Sequence, residues 1–303
     1  MNAIKSNYTY ILKSIMKDKT LLPHFHTLQN KNYVISGATR GVGLSIAKSL
    51  SSMGANVALL GKTSEPHPKL EGTLTTAVEE VKKANYWRGN KVIGFKCDIR
   101  DYDNVNNTVE EIVEEFKGIN GVVLNASALC LNSTLKQTKK EIDLMSQVNI
   151  NGTYIMGQKC LKYIEKEEHG NVLIIAPPIS MLYNDEWWVN HLYYSMSKFN
   201  MSLMSNFWNK EFKNVSVNTL WPRTTLDTAP VRNILGGEKM ANISRSPDIM
   251  GEAAKDIICA NPYLCTGKNF IDDIVLLSLD KDIEKYRINK NIKETDLMPD
   301  FFC

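Results

Sequence analysis

The feature that most constrains this chain is a glycine-rich turn set between a β-prone run and an amphipathic helix. Tyr33-Val34-Ile35 is followed at once by Ser36-Gly37-Ala38-Thr39-Arg40-Gly41-Val42-Gly43. Leu44, Ile46, Ala47, Leu50 and Met53 then recur at helical spacing until Gly54 stops them;. Strand, glycine turn and helix in that order let the backbone approach an anionic group, which the helix N-terminus stabilises. The spacing is Gly-x-x-x-Gly-x-Gly rather than the commoner Gly-x-Gly-x-x-Gly, so taken alone it suits a structural turn as well.

The rest of the chain repeats the alternation. A second strand, 56–60, ends in Gly61-Lys62-Thr63, and Pro66 and Pro68 mark a loop before a helix carrying Leu74, Ala77, Val78, Val81 and Ala84 on one face. Strands are predicted at 91–96, 122–124, 172–175 and 215–220, with helices at 105–116, 140–163 and 194–212;. Residues 249–258 read as a last helix. Phe270-Ile271 and Ile274-Val275-Leu276 read as a final strand interrupted by Asp272-Asp273. Such alternation means an α/β fold: a Rossmann-type, doubly wound parallel sheet flanked by helices, in a single domain. We expect an N-terminal extension at 1–30, the Rossmann domain at 31–280 and a C-terminal tail at 281–303.

With 36 basic and 33 acidic residues mixed along 303, the net charge of +3 argues against a nucleic-acid surface built on bulk charge;. Six dispersed cysteines show no Cys-x-x-Cys and no metal-ligand spacing, and His24 and His26 stand apart from any carboxylate or cysteine;. These are free thiols in a reducing compartment on the simplest reading. No stretch approaches the ~20 apolar residues of a membrane span. Residues 1–19 carry four lysines against one acid, with apolar residues at helical spacing. That pattern suits either an organelle-targeting leader or an ordinary helix packed on the domain.

Several residues then become candidates for chemistry. Tyr194 and Lys198 are four apart, one turn from each other on one helix face, where an ammonium favours ionisation of the phenol;. Such a pair suits proton transfer near neutral pH, although a helix-surface coincidence gives the same spacing. An acid at the end of the second strand would bind a ribose 2′-hydroxyl. Here Lys62 stands there and Arg40 sits in the glycine turn, which favours NADP(H) over NAD(H);. Asp98, closing the third strand, either accepts from an adenine amino group or caps a turn;. Asn149 lies among apolar residues and needs partners, either structural ones or a water near the lysine;.

With the glycine turn, Leu124-Asn125-Ala126-Ser127 and Tyr194-x-x-x-Lys198 in this order, the chain resembles the short-chain dehydrogenases/reductases, from about residue 32 to 302. Lys62-Thr63, Pro177-Pro178, Leu220-Trp221-Pro222-Arg223-Thr224 and Pro247-Asp248-Ile249-Met250 resemble one subgroup, whose members often continue into a sterol-carrier domain; none is expected here. The resemblance implies an oxidoreductase moving a hydride between a nicotinamide and a carbonyl/alcohol substrate, with Tyr194 as proton carrier. Lys198 would lower the Tyr194 pKa and bind the nicotinamide ribose, and Asn149 would hold a relay water. Ser36, Gly37, Thr39, Arg40, Gly41, Val42, Gly43, Lys62, Asp98 and Asn125 would line the cofactor, with Pro222, Thr224 and Thr228 on its nicotinamide side.

The resemblance also implies a location in the mitochondrion or peroxisome, against a cytoplasmic one otherwise, and a homo-oligomer assembled through the helix after residue 194. Two departures weaken the catalytic reading. The family serine falls on Ala176-Pro177, with Ser180 the nearest hydroxyl, and Leu124 replaces an asparagine. The competing expectation is therefore a catalytically impaired nucleotide-binding protein. Trp187 and Trp188 suit either an apolar substrate or a core or dimer contact;.

Overall fold

The computed structural model describes residues 27–62, 72–85, 89–183 and 190–302. The basic leader, His24, His26, Pro66, Pro68, Trp187 and Trp188 lie outside the described residues. Seven parallel strands form one sheet: β1 (Asn32–Ser36), β2 (Asn56–Gly61), β3 (Val92–Lys96), β4 (Gly121–Leu124), β5 (Gly170–Ile175), β6 (Val215–Trp221) and β7 (Asn269–Ile271). Their order is β3-β2-β1-β4-β5-β6-β7. β1, β4, β5 and β6 are buried throughout, as expected of strands covered on both faces;. The order reverses between β1 and β4, and that switch point opens the crevice where open α/β sheets bind ligands.

The α-helices among the described residues are α1 (Gly41–Ser52), α2 (Leu74–Ala84), α3 (Tyr102–Phe116), α4 (Lys139–Met145), α5 (Thr153–Ile164), α6 (Leu192–Glu211), α7 (Ala229–Asn233), α8 (Gly237–Asn242), α9 (Asp248–Cys259) and α10 (Asp272–Ser278). A π-helical turn, Ser146–Gly152, joins α4 to α5, so residues 139–164 run as one rod. The sheet separates two apolar cores. One gathers Ile46, Leu50, Ile249, Ala253 and Val275 from α1, α9 and α10; the other gathers Val109, Ile112, Met156 and Cys160 from α3 and α5. α6 contributes to both, with Tyr194 and Phe199 in the first and Met201 and Trp208 in the second.

Two sequence expectations need correction. Ile274-Val275-Leu276 do not continue a strand; they lie in α10, so residues 249–258 do not form the last helix. Short apolar runs do not distinguish strand from buried helix. Here the acids placed as a strand interruption form the first turn of α10, where the helix dipole favours them;. Both are fully buried. Asp272 accepts the Arg223 backbone N–H at 2.9 Å, while Asp273 pairs with the guanidinium groups of Arg223 and Arg245. Glu294 closes the cluster by pairing with the same two arginines, and Arg245 is completely enclosed.

Residues 281–302 pack back on the domain, burying Ile283, Tyr286, Leu297 and Phe302. The Thr225 N–H donates to the Met298 carbonyl, the Met298 N–H to that of Ile243, and the Asp300 N–H to that of Arg223, each at 2.9 Å. This last segment therefore runs over the loop that follows β6.

Candidate active site

The glycine turn closes the carboxyl end of β1. Gly37 and Gly41 have φ of +65° and +54°, the left-handed region that costs glycine nothing and other residues strain;. A Cβ on Gly43 would stand 2.5 Å from the Gly37 carbonyl oxygen and 2.6 Å from Asn125 Nδ2. The first turn of α1 thus lies directly on the loop. Gly43→Ala should destabilise the chain by about 1–3 kcal/mol through overpacking, because the colliding atom is backbone. Thermal denaturation checks this, and an unchanged Tm would count against so tight an approach.

Ser36 and Asn125 hold the turn's shape. Ser36 Oγ accepts the backbone N–H groups of Asn125 at 3.0 Å and Ala126 at 3.1 Å. Asn125 Nδ2 donates to the carbonyls of Ser36 at 2.9 Å and Gly37 at 3.1 Å. β1 and β4 are thereby stitched across the switch point. Thr39 is buried and Val42 half-buried against the core. One guanidinium nitrogen of Arg40 donates to the Gly72 carbonyl at 2.8 Å, whereas its Nε is buried without a partner. Burial pulls this guanidinium below its ordinary pKa. Lys62 is exposed at the end of β2. At the end of β3, Asp98 accepts the Arg100 backbone N–H at 3.1 Å and grips its guanidinium. That pairing holds its carboxyl below the usual carboxylate range.

Asn149, in the π-helical turn, is fully buried and saturated. Its Oδ1 accepts from the Ala128 N–H at 2.7 Å and the Ser127 hydroxyl at 3.1 Å. Its Nδ2 donates to the Ala128 carbonyl and to Ser197 Oγ, both at 2.9 Å. The side chain is therefore a brace between α6 and the loop after β4.

Tyr194 and Lys198 occupy adjacent turns of α6 and are both buried. Lys198 Nζ donates to the Ile175 carbonyl at 2.7 Å, at the end of β5, and lies 5.0 Å from the centre of the Trp221 ring. Burial pushes Lys198 down to about 7. The phenol departs from the expectation that Lys198 lowers it. Burial, and secondarily the Asp300 carboxylate, push Tyr194 above its ordinary value, so the hydroxyl is kept protonated. Where the resemblance puts the family serine, Ala176 is fully buried, and the Pro177 carbonyl accepts from the Ser202 hydroxyl at 2.6 Å. Ser180 is exposed.

After β6, Pro222 is buried and Thr224 Oγ1 is buried without a partner. Thr228 reaches the glycine turn, its Cγ2 3.4 Å from where a Cβ on Gly41 would stand. Three residues beside the Tyr/Lys pair escaped the sequence reading. Trp221 Nε1 donates to Asp300 Oδ1 at 2.8 Å. The Phe302 ring lies 6.2 Å from that of Tyr194, 5.4 Å from Phe199 and 5.3 Å from Trp221. The aromatic Pro299-Asp300-Phe301-Phe302 run was a signal, but nothing in it says where it docks. Among the described residues no group of His, Cys, Asp or Glu forms a candidate metal site.

A family model for the short chain dehydrogenases matches residues 31–237. The chain is 37% identical over 285 residues to hydroxysteroid dehydrogenase-like protein 2 of Xenopus tropicalis, covering 93% of this chain and 66% of that protein. It is 36% identical over 283 residues to the protein of that name in Homo sapiens, covering 93% and 65%. It thus spans about two thirds of the length of these relatives. A crystal structure of a short chain dehydrogenase from Mycobacterium thermoresistibile superposes with a TM-score of 0.81 at 36% identity, covering 90% of this chain and 95% of that one. A protein of Xanthomonas campestris superposes with a TM-score of 0.83 at 36% identity, covering 92% and 99%. The sheet order, the glycine turn at the switch point and these matches agree: the chain belongs to the short-chain dehydrogenase/reductase family.

Proposed function

We propose that this chain is an NADP(H)-dependent oxidoreductase acting on a carbonyl/alcohol pair, with Tyr194 as the proton carrier. The observation that supports the reading most is that Tyr194 and Lys198 share one face of α6, with Lys198 Nζ bonded to the Ile175 carbonyl at the carboxyl end of β5. A dinucleotide fits the residues present. Gly37 and Gly41 give the turn its left-handed backbone and Gly43 lets α1 pack directly on it, while Arg40 Nε and Thr224 Oγ1 are buried polar atoms without partners;. Gly37, Arg40, Gly41 and Gly43 would hold the phosphates, Thr224 the nicotinamide side and Lys198 the adjoining ribose. Bound there, the cofactor supplies or accepts the hydride.

The protein's own part is the proton. A protonated phenol can donate to a carbonyl oxygen as it becomes an alkoxide, which favours reduction. The ammonium of Lys198 then stabilises the phenolate left behind. Exposed Ile234, in the segment after β6, supports a lipid-like substrate. NADPH oxidation against a panel of aldehydes, ketones and acyl-CoA derivatives tests this directly; NADPH binding with no turnover across the panel would sink it.

Lys62 supports the choice of NADP(H), since a cation at the end of β2 favours a 2′-phosphate and an acid would repel it. Lys62→Ala should weaken NADPH binding about five- to tenfold, the effect of roughly 1 kcal/mol for an exposed charge pair. NADH binding should be unchanged. Equal losses for both nucleotides in a fluorescence titration would remove Lys62 from the specificity argument.

The second reading, a nucleotide-binding protein with little turnover, is favoured by Ala176, because no hydroxyl stands where the family serine would. Losing such a donor costs about 3–4 kcal/mol of transition-state stabilisation when it acts on an oxyanion. Assembly through the outer face of α6 is supported by exposed Met196, Leu203 and Phe207;. No helix of the described residues is long and apolar enough to cross a membrane. A mitochondrial or peroxisomal location rests on the basic leader and on the resemblance.

A further inference from the structure

We propose that Asp300 belongs to the catalytic centre as a positioning residue, its carboxylate serving as the counter-charge that keeps the buried Lys198 ammonium beside Tyr194. This rests on reading Tyr194 and Lys198 as the acid/base pair. The geometry centres on Trp221. Its ring face lies 5.0 Å from Lys198 Nζ, and its N–H edge donates to Asp300 Oδ1 at 2.8 Å. One indole thus holds a cation on its negative face and an anion at its positive edge.

Asp300 is fixed there from both sides. Its own N–H donates to the Arg223 carbonyl at 2.9 Å, and two residues on, Phe302 is wedged among Tyr194, Phe199 and Trp221. Lys198 is 1% exposed, and the hydrogen bond it makes is to a neutral carbonyl, that of Ile175. A buried ammonium needs an opposite charge. The other charges nearby are committed: Arg223 points away, to Asp273 and Glu294. Among the described residues, Tyr194 lies on the same helix as Lys198, and the His191 ring lies 6.3 Å from that of Phe301, the residue after Asp300.

The electrostatics run the same way. Burial pushes Lys198 down to about 7 and Asp300 up to about 7, and each carries the other back toward its charged form. The same carboxylate raises Tyr194, keeping the phenol in its proton-donating state. Asp300 thereby does two things: it secures the charge that will stabilise a phenolate, and it prevents that phenolate from forming before substrate arrives.

The test uses the full chain with lysine labelled at 13Cε, the Lys198 resonance being assigned by its loss in Lys198→Arg. Asp300→Asn keeps the acceptor for Trp221 and removes the charge. Its Tm should stay within a few degrees of wild type, while the Lys198 titration midpoint falls by about one pH unit or more. A midpoint unmoved in Asp300→Asn overturns the proposal. Where Asp300→Asn does not fold, Asp300→Ser, which also removes the charge and leaves the Trp221 ring in place, is read the same way: a lowered midpoint supports the assignment and an unmoved one overturns it. Turnover separates this from the functional reading. With an active wild type, Asp300→Asn should lower kcat at pH 7 about tenfold with KM within twofold. A wild type that binds NADPH without turnover sinks the oxidoreductase, and the Lys198 titration still decides the role of Asp300.

Discussion

Replacing Tyr194 with phenylalanine is expected to lower kcat/KM for carbonyl reduction by about 10²- to 10⁴-fold, the usual contribution of a positioned general acid. The loss should fall on kcat, because the hydroxyl is called on only as the proton moves. The ring itself should keep its place. Tyr194 packs against Phe302, and both Phe199 and Trp221 face that same ring, so an aromatic at 194 preserves the wall. NADPH affinity should therefore stay within about twofold, since the change amounts to a few tenths of a kcal/mol. Steady-state kinetics with a fluorescence titration checks both halves. Equal turnover in wild type and Tyr194→Phe would remove this residue from the chemistry. Intact turnover lost together with NADPH binding would mean that the substitution had damaged the fold instead.

The second large effect lies away from the chemistry. Arg245 is fully enclosed and pairs with Asp273, itself fully buried, and with Glu294. Arg245→Met fills a similar volume but strips the cluster of one of its two cations, leaving Arg223 to serve both acids. Removing one partner of a buried pair costs about 3–5 kcal/mol, because the remaining charge stays in the interior without compensation. For a chain of this size, Tm should drop by about 6–12 °C. Lys139→Ala is the contrasting control, for Lys139 pairs with Asp143 on the surface and should change stability by less than about 1 kcal/mol;. Thermal unfolding followed by circular dichroism distinguishes them, and a change below about 1 kcal/mol for Arg245→Met would show that the cluster relaxes.

How much of this was legible in the sequence depends on how far apart the partners are. The β1–turn–α1 unit could be read because its signals are local: a β-prone run, glycines, then apolar residues at a period of 3.6;. Tyr194 and Lys198 were legible for the same reason, lying four apart in one helix. Asn149 could be flagged as a polar residue in need of partners, yet one of them, Ser197, is 48 positions away and invisible to any periodicity. The bond between Trp221 and Asp300 spans 79 positions. Residues 274–276 failed for another reason. Three apolar residues in a row fit a strand and a buried helix equally, and the deciding contact, two arginines reaching the preceding acids, is tertiary. The direction of the Tyr194 shift was also out of reach, because spacing reveals the neighbouring lysine but not how much water is excluded from either group;.

The π-helical turn at Ser146–Gly152 carries a consequence for insertions and deletions. Such turns hold one residue more than the α-helical path requires. Deleting any one residue there would restore a regular helix and rotate everything beyond it by about 100°. Met156, Cys160 and Ile164, now seated in the core, would swing off the sheet, while Asn149 would leave Ala128 and Ser197. The extra residue is thus locked in from both directions: by the brace it holds on one side and by the apolar register it sets on the other. Point substitutions in this turn can be absorbed one contact at a time, whereas a change of length cannot.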